Sequence, residues 1–255
     1  MNNRLTFKDG IISGLPEDKT VNLIVLYSGG FDSTILLKSA FRMVNCNDNN
    51  INTVYALNVQ SDFLCKDKIK LEKKYVRRFI DHLNKKNCDS RKIKLIEFKQ
   101  SLFDVESTNY VENAYDMIFI NAINSVVPFI GGADINIVLG GALDSDSRGC
   151  HLPYFKEEVE NFVKPFNSIE TWMEFPLRQL KKADILAYAI TNKLYKYCTC
   201  CENPKSDTIC NSCKGHTLGL FELLFEYRLG NINLTKKDAN FAESELTRIL
   251  DEIDD

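Results

Sequence analysis

Two groups of residues in this chain have types and spacings suited to chemistry. The first is Ser28-Gly29-Gly30-Phe31-Asp32-Ser33, set between the apolar run Val21 to Tyr27 and the helically spaced Thr34-Ile35-Leu36-Leu37. Gly29 and Gly30 leave room for an anion and admit positive φ, so backbone N–H groups can converge on it. A helix beginning near Ser33 adds the positive end of its dipole. The hydroxyls of Ser28, Ser33 and Thr34 can donate further hydrogen bonds. Asp32 repels phosphate, and its carboxylate is better used on Mg²⁺ that bridges to the phosphates. Neither GxxxxGK[ST] nor GxGxxG occurs here, so a Walker-type loop and a Rossmann dinucleotide site have no support.

The second group is rich in cysteine. Of nine cysteines, Cys198, Cys200, Cys201, Cys210 and Cys213 crowd one segment, whereas Cys46, Cys65, Cys88 and Cys150 stand alone. In a chain with no secretory pattern, clustered cysteines read first as a metal site. Cys201-x8-Cys210-x2-Cys213-x2-His216 offers three thiolates and an imidazole at hairpin spacings, a set suited to tetrahedral Zn²⁺. Cys198 or Cys200 can replace Cys201. Four protein ligands leave no open position on the metal, which makes the zinc structural. Cys210-x-x-Cys213 taken alone also fits a redox dithiol, but it lacks a thioredoxin-like context.

Both groups need a scaffold. Val21 to Tyr27, Thr53 to Val59, Lys92 to Phe98 and Ile135 to Leu139 read as short buried strands. Lys66 to Leu83, Tyr115 to Val127 (stopped by Pro128), Arg178 to Leu194, Thr217 to Tyr227 and Asp238 to Asp255 read as helices, and Asp144 to Pro153 as a loop. This alternation predicts an α/β fold, a parallel sheet flanked by helices, over residues 1–195, followed by a small zinc-binding and helical region over 196–255. With 44% hydrophobic and 26% charged residues, the composition is that of a globular protein and excludes a disordered tail, a fibre or a coiled coil. The net charge of −3 argues against broad, salt-driven nucleic-acid binding. No apolar run is long enough for a membrane span, and MNNRLTFKDG is no signal peptide, so a soluble, cytoplasmic protein is expected.

The SGGxDS loop resembles that of the PP-loop ATP pyrophosphatase superfamily. Together with Cys-x8-Cys-x2-Cys-x2-ligand near the C-terminus, it makes the chain similar to the 7-cyano-7-deazaguanine synthase family. Pro176-Leu177 and then Lys182-Ala183-Asp184 resemble that family's PL-x4-K-x-E segment. Gly141, Asp146 and Gly149 stand where the family has a glycine and then Asp-x-Ser-Gly. The resemblance spans residues 21 to about 225 and implies an adenine nucleotide alpha hydrolase-like fold. It implies that Ser28, Gly29, Gly30, Asp32, Ser33 and Thr34 bind ATP, with Asp32, Ser33 and Lys182 catalytic. Gln60, Asp146 and Gly149 would meet a deazaguanine-type small molecule. Zn²⁺ on Cys201, Cys210, Cys213 and His216, Mg²⁺, and a homodimer are further implications. The implied reaction is ATP-dependent ligation: a 7-deazaguanine carboxylate becomes an acyl-adenylate, pyrophosphate leaves, and ammonia or another amine attacks to give an amide, which, when the amine is ammonia, a second ATP converts to the nitrile.

Departures from the family lie at the substrate end. His216 stands for a cysteine, which tetrahedral zinc accepts. Gln60-Ser61-Asp62 replaces Gln-Arg-His, and Cys150-His151-Leu152-Pro153-Tyr154 replaces Tyr-Pro-Asp-Cys-Arg. Asp116 replaces an asparagine of the family's Arg-Asn pair. Transfer of the acyl group to an amine on a protein or nucleic acid therefore stands as an alternative, as do tRNA thiolation and a non-catalytic zinc scaffold that senses nucleotide. The basic stretch Lys66 to Arg78 is either a grip for RNA or polyphosphate or the solvated face of a helix. Asp144 and Asp146 either hold a second Mg²⁺ or a base edge, or are solvated in their loop.

Overall fold

The apolar run after Thr20 forms β3 (Val21–Leu26), the middle strand of a five-stranded sheet ordered β5-β4-β3-β6-β7. The computed structural model describes residues 4–45, 50–61, 66–86, 93–100, 111–145, 152–163, 169–199 and 211–254. All four pairings in the sheet are parallel, joining β3 to β4 (Ile51–Ser61) and β6 (Ile135–Leu139), β4 to β5 (Lys94–Gln100), and β6 to β7 (Glu170–Glu174). β3 and β6 are buried on both faces and therefore read as continuous apolar runs rather than alternating ones. A short antiparallel hairpin, β1 (Thr6–Lys8) with β2 (Ile11–Ser13), precedes the sheet. The α/β class with a parallel, helix-flanked sheet is thus the observed one.

Alternate strand residues feed two cores. Val21, Leu23 and Val25 face α1 (Phe31–Asn45) and α2 (Lys66–Lys86) in one cluster, whereas Ile24, Leu57 and Val138 face α3 (Val111–Val126) and α4 (Leu152–Val163) in the other. α5 (Lys182–Thr191), α6 (Asn211–Arg228) and α7 (Lys236–Asp254) join the first cluster through Ile185, Leu220, Leu223, Ala242 and Leu246. The C-terminal helices thus extend the core that holds Ile35 and Leu36. Burying each such Leu or Ile contributes about 1.5–3 kcal/mol.

Several elements differ from the sequence expectation. β7, α4 and the hairpin fall where no element was expected, and α4 begins at Leu152, inside the expected 144–153 loop. α5 starts at Lys182 rather than Arg178, because the residues after Pro176 form tight turns that include Arg178 N–H to Phe175 O at 3.1 Å. α6 starts at Asn211 rather than Thr217 and so includes Cys213 and His216. Among the described residues, no helix is long and apolar enough to cross a membrane.

Candidate functional site

The strand order reverses at β3. The chain runs from β3 outward to β4 and β5, then returns to lay β6 and β7 on the other side. A crevice at the carboxyl ends of β3 and β6 follows from that reversal, and it is where open α/β sheets bind ligands. Ser28–Gly30 lies on one side of it, and Gly140-Gly141 on the other.

Tyr27 N–H still donates to Leu57 O (2.8 Å), after which the chain leaves the sheet. Gly29 turns it at φ +81°, a conformation that other residues adopt only with strain. Gly30 O then accepts from Thr34 N–H (3.0 Å) and Ser33 Oγ–H (3.2 Å), which starts α1. Ser28 Oγ accepts from Gly30 N–H at 3.3 Å and lies 3.4 Å from Ser33 Oγ. Gly141 is forced by packing, since a Cβ there would lie 2.9 Å from Ser33 N and 3.0 Å from Asp32 Cβ.

Asp32 occupies the first turn of α1, and Lys182 is the first residue of α5. Lys182 Nζ donates to both Asp32 oxygens, at 2.8 Å to Oδ2 and 3.2 Å to Oδ1. α5 is anchored there by Asp184, whose Oδ2 accepts from Lys181 N–H (3.0 Å) while its own N–H donates to Lys181 O (3.1 Å). Gly219 allows α6 to approach, because a Cβ on it would sit 2.8 Å from Lys182 Cγ. Asp32 and Lys182, two of the three residues expected to be catalytic and separated by 150 positions, are therefore one ion pair.

A cavity of about 270 Å³ opens beside this pair. Ser28, Gly30, Asp32, Ser33 and Gly141 line its polar end, and Leu57, Val59, Phe119, Phe155 and Phe175 its apolar wall. Lys68 and Glu72 of α2 also line it. Helical spacing carries a signal for these two: positions 68, 72, 76, 79 and 83 share one face, and Val76, Phe79 and Leu83 are core residues.

Other expected site residues lie elsewhere. Thr34 is fully buried and does not line the cavity. Gln60 sits on the strand face opposite Leu57 and Val59, its Nε2 donating to Asn58 Oδ1 (2.7 Å) while Asn58 Nδ2 donates to Tyr27 O (2.9 Å). The Asp144 carboxylate is held by Arg178 Nε at 2.9 and 3.1 Å. Asp146, Gly149, Cys200, Cys201 and Cys210 lie outside the described residues.

Cys213 and His216 stand one helical turn apart on α6, so their spacing is helical rather than that of a hairpin. His216 is buried, stacked on Phe31 at 4.9 Å between ring centroids, with Tyr195 Oη 2.7 Å from its Nε2. Burial, with the charges of Lys182 and Arg248 adding to it, pushes its pKa down to about 4. Among the described residues its buried Nδ1 has no hydrogen-bond partner. A neutral imidazole with one nitrogen orphaned, a turn from a thiol, is a fitting half of a metal site. Among the described residues no group of three or more such ligands occurs. Cys198 is committed to the core, its thiol donating to Leu194 O at 3.4 Å. The next residue reaches the loop: Thr199 N–H donates to Gly29 O at 2.9 Å.

Comparison with models of known protein families gives no match for this chain, and comparison with curated proteins gives none either.

Proposed function

We propose that this chain is an ATP-dependent carbon–nitrogen ligase that activates a carboxylate as an acyl-adenylate, in the manner of the 7-cyano-7-deazaguanine synthases it resembles. The observation that carries this reading is the Asp32–Lys182 pair beside the glycine loop, at the point where the sheet reverses. A carboxylate and an ammonium beside a glycine turn at the start of a helix are what a polyphosphate and its counter-ion need.

In the reaction envisaged, a substrate carboxylate oxygen attacks the α-phosphorus of ATP, and the bond to the β-phosphoryl oxygen breaks. Pyrophosphate leaves, and an amine nitrogen then attacks the acyl carbon and displaces AMP, losing a proton. Adenylation is needed because oxide is a poor leaving group. Ser28, Gly30 and Ser33 would bind the departing pyrophosphate through hydroxyl and N–H donors. Lys182 would hold charge growing on the phosphate oxygens, and its contact with Asp32 keeps it aimed there. The apolar wall would exclude water that hydrolyses an acyl-adenylate.

Asp32, a part-buried carboxylate at the mouth of the cavity, fits one ligand position of Mg²⁺. Such an ion, when bound, neutralises phosphate charge. For zinc, Cys213 and the orphaned Nδ1 of His216 fit as two donors, with Cys201 and Cys210 proposed to complete the set. A deazaguanine-type acid is the proposed substrate, and ammonia or a protein or nucleic-acid amine the proposed acceptor. A homodimer is proposed on the family resemblance alone.

The test is product analysis with ATP, Mg²⁺, 7-carboxy-7-deazaguanine and ammonia. Substrate-dependent AMP and pyrophosphate are expected, with an amide or nitrile identified by mass. ADP and phosphate, or no nucleotide turnover with any acid offered, would overturn the reading.

A further inference from the structure

Among the described residues, Lys156, Lys182 and Lys68 have side chains largely withdrawn from solvent, and they are not treated alike. Lys156, 5% exposed, is neutralised by Glu174 at 2.8 Å in the core, where Glu174 Oε2 also accepts from Arg4 N–H. Lys182 is neutralised by Asp32 at 2.8 Å. Lys68, 12% exposed, has only Glu72 near it, at 3.8 Å, and makes no hydrogen bond among the described residues. An ammonium has three donors, and leaving them unused in a covered position is costly. The chain satisfies the other two; the third faces the cavity that holds Ser28, Gly30 and Asp32.

Geometry explains why Lys68 stays there. α2 crosses the flank of the glycine loop, and a Cβ on Gly29 would lie 3.4 Å from Tyr75 Cβ and 3.8 Å from Glu72 O. Val76 and Phe79, fully buried a turn or more further along the same face, fix the rotation of the helix. That rotation turns Lys68 inward, while Lys66 and Lys70 of the same basic stretch remain exposed. We propose that Lys68 is a second anion-binding residue of the cavity. Its unused donors meet phosphate oxygens of the nucleotide, from a different helix than the one that carries Lys182. The inference rests on the proposed reading of the cavity as a nucleotide site and adds to it a residue that the glycine loop and its neighbours do not include. Glu72, one turn further along the same helix, acts as a positioning residue that draws the ammonium to this side of α2.

The experiment is calorimetric titration of the full chain with inorganic pyrophosphate, ATP and adenosine. Lys68→Gln is expected to weaken pyrophosphate and ATP by roughly tenfold or more, the size of a lost charge-assisted hydrogen bond, and to leave adenosine binding unchanged. Lys68→Arg should recover most of the loss, and Lys70→Gln should bind as the unaltered protein does. A Lys68→Met/Glu72→Gln double variant, with both charges removed, provides a second reading that does not rest on the Lys68–Glu72 pair. Pyrophosphate affinity unchanged in a folded Lys68 variant would overturn the inference alone, and so would an equal loss in Lys70→Gln. An unaltered protein that binds neither pyrophosphate nor ATP would overturn the nucleotide reading and this inference with it.

Discussion

Lys182 Nζ lies 2.8 Å from Asp32 Oδ2, and this contact joins the start of α5 to the first turn of α1. Neither group has a local reason to be there. Asp32 belongs to a turn built around Gly29 and Gly30, and Lys182 to a helix that starts after the turns following Pro176. The core sets their meeting: Ile35, Leu36, Ile185 and Leu186 belong to one cluster, which brings the N-termini of the two helices together. The carboxylate offsets the ammonium, so the pair presents no net charge until a cation takes up Asp32 and leaves Lys182 to a polyanion.

Asp32→Ala and Lys182→Met are each expected to reduce AMP formation by at least about a hundredfold, the usual loss when charge stabilisation at a reacting centre is removed. The double variant should lose little more than either single one, since the pair acts as a unit. Stability should fall by only about 1 kcal/mol, because both side chains keep partial contact with water. Thermal melts beside turnover assays check this. A folded variant that keeps its turnover would instead show that the pair is no part of the catalytic machinery.

Gly219→Ala tests how Lys182 is positioned without touching it. The new methyl would stand 2.8 Å from Lys182 Cγ and 2.9 Å from Leu186 Cδ1, where the close approach of α6 leaves no room. Overpacking at a helix contact costs about 1–3 kcal/mol. The expected outcome is a lower melting temperature together with a reduced kcat, the KM for ATP changing less. A variant with unchanged kcat would show that Lys182 reaches its position independently of α6.

The glycine loop, its strand and its helix were readable because one segment carries every signal for them: a buried apolar run, paired glycines and a helix-spaced continuation. Lys182 was nameable, but its contact with Asp32 was not, since that depends on how α1 and α5 pack. β7 escaped because Glu170 and Glu174 bound it, and an alternation test places Glu174 in water. In the fold it is fully buried, because Lys156 and Arg4 N–H satisfy it. α4 escaped because Pro153 reads as a helix breaker, whereas in the first turn a proline costs no hydrogen bond. Gln60 was placed one residue off in face: Leu57 and Val59 look into the cavity, so the period of two turns Gln60 away from it.

Burial of His216 implies a pH dependence with a definite sign. Its folded pKa of about 4 lies below the ordinary value of 6.5, so the unfolded chain binds the proton more readily. The stability associated with the neutral ring is complete above pH 6.5 and is lost as the pH falls from there toward 4. Metal-free protein should therefore lose denaturant stability between pH 7 and pH 5 more steeply than a His216→Phe variant, which keeps the stack on Phe31. Parallel curves for the two proteins would rule out this histidine as the source.

Metal removal tests the contact between the two motifs of the chain. A remote structural zinc would affect the melting temperature and leave nucleotide binding alone. Here Phe31, the residue after Gly30, stacks on His216, and Thr199 N–H holds Gly29 O at 2.9 Å. The backbone just after Cys198 is thus a support of the glycine loop, and the ring of a proposed ligand covers the start of α1. Chelation is expected to lower the melting temperature by several degrees and also to weaken pyrophosphate binding severalfold, with both restored by added Zn²⁺. His216→Ala should reproduce the two losses together. A chelated protein that melts earlier yet binds pyrophosphate with unchanged affinity would show that the loop keeps its shape without the metal, and that Thr199 and Phe31 only fill space beside it.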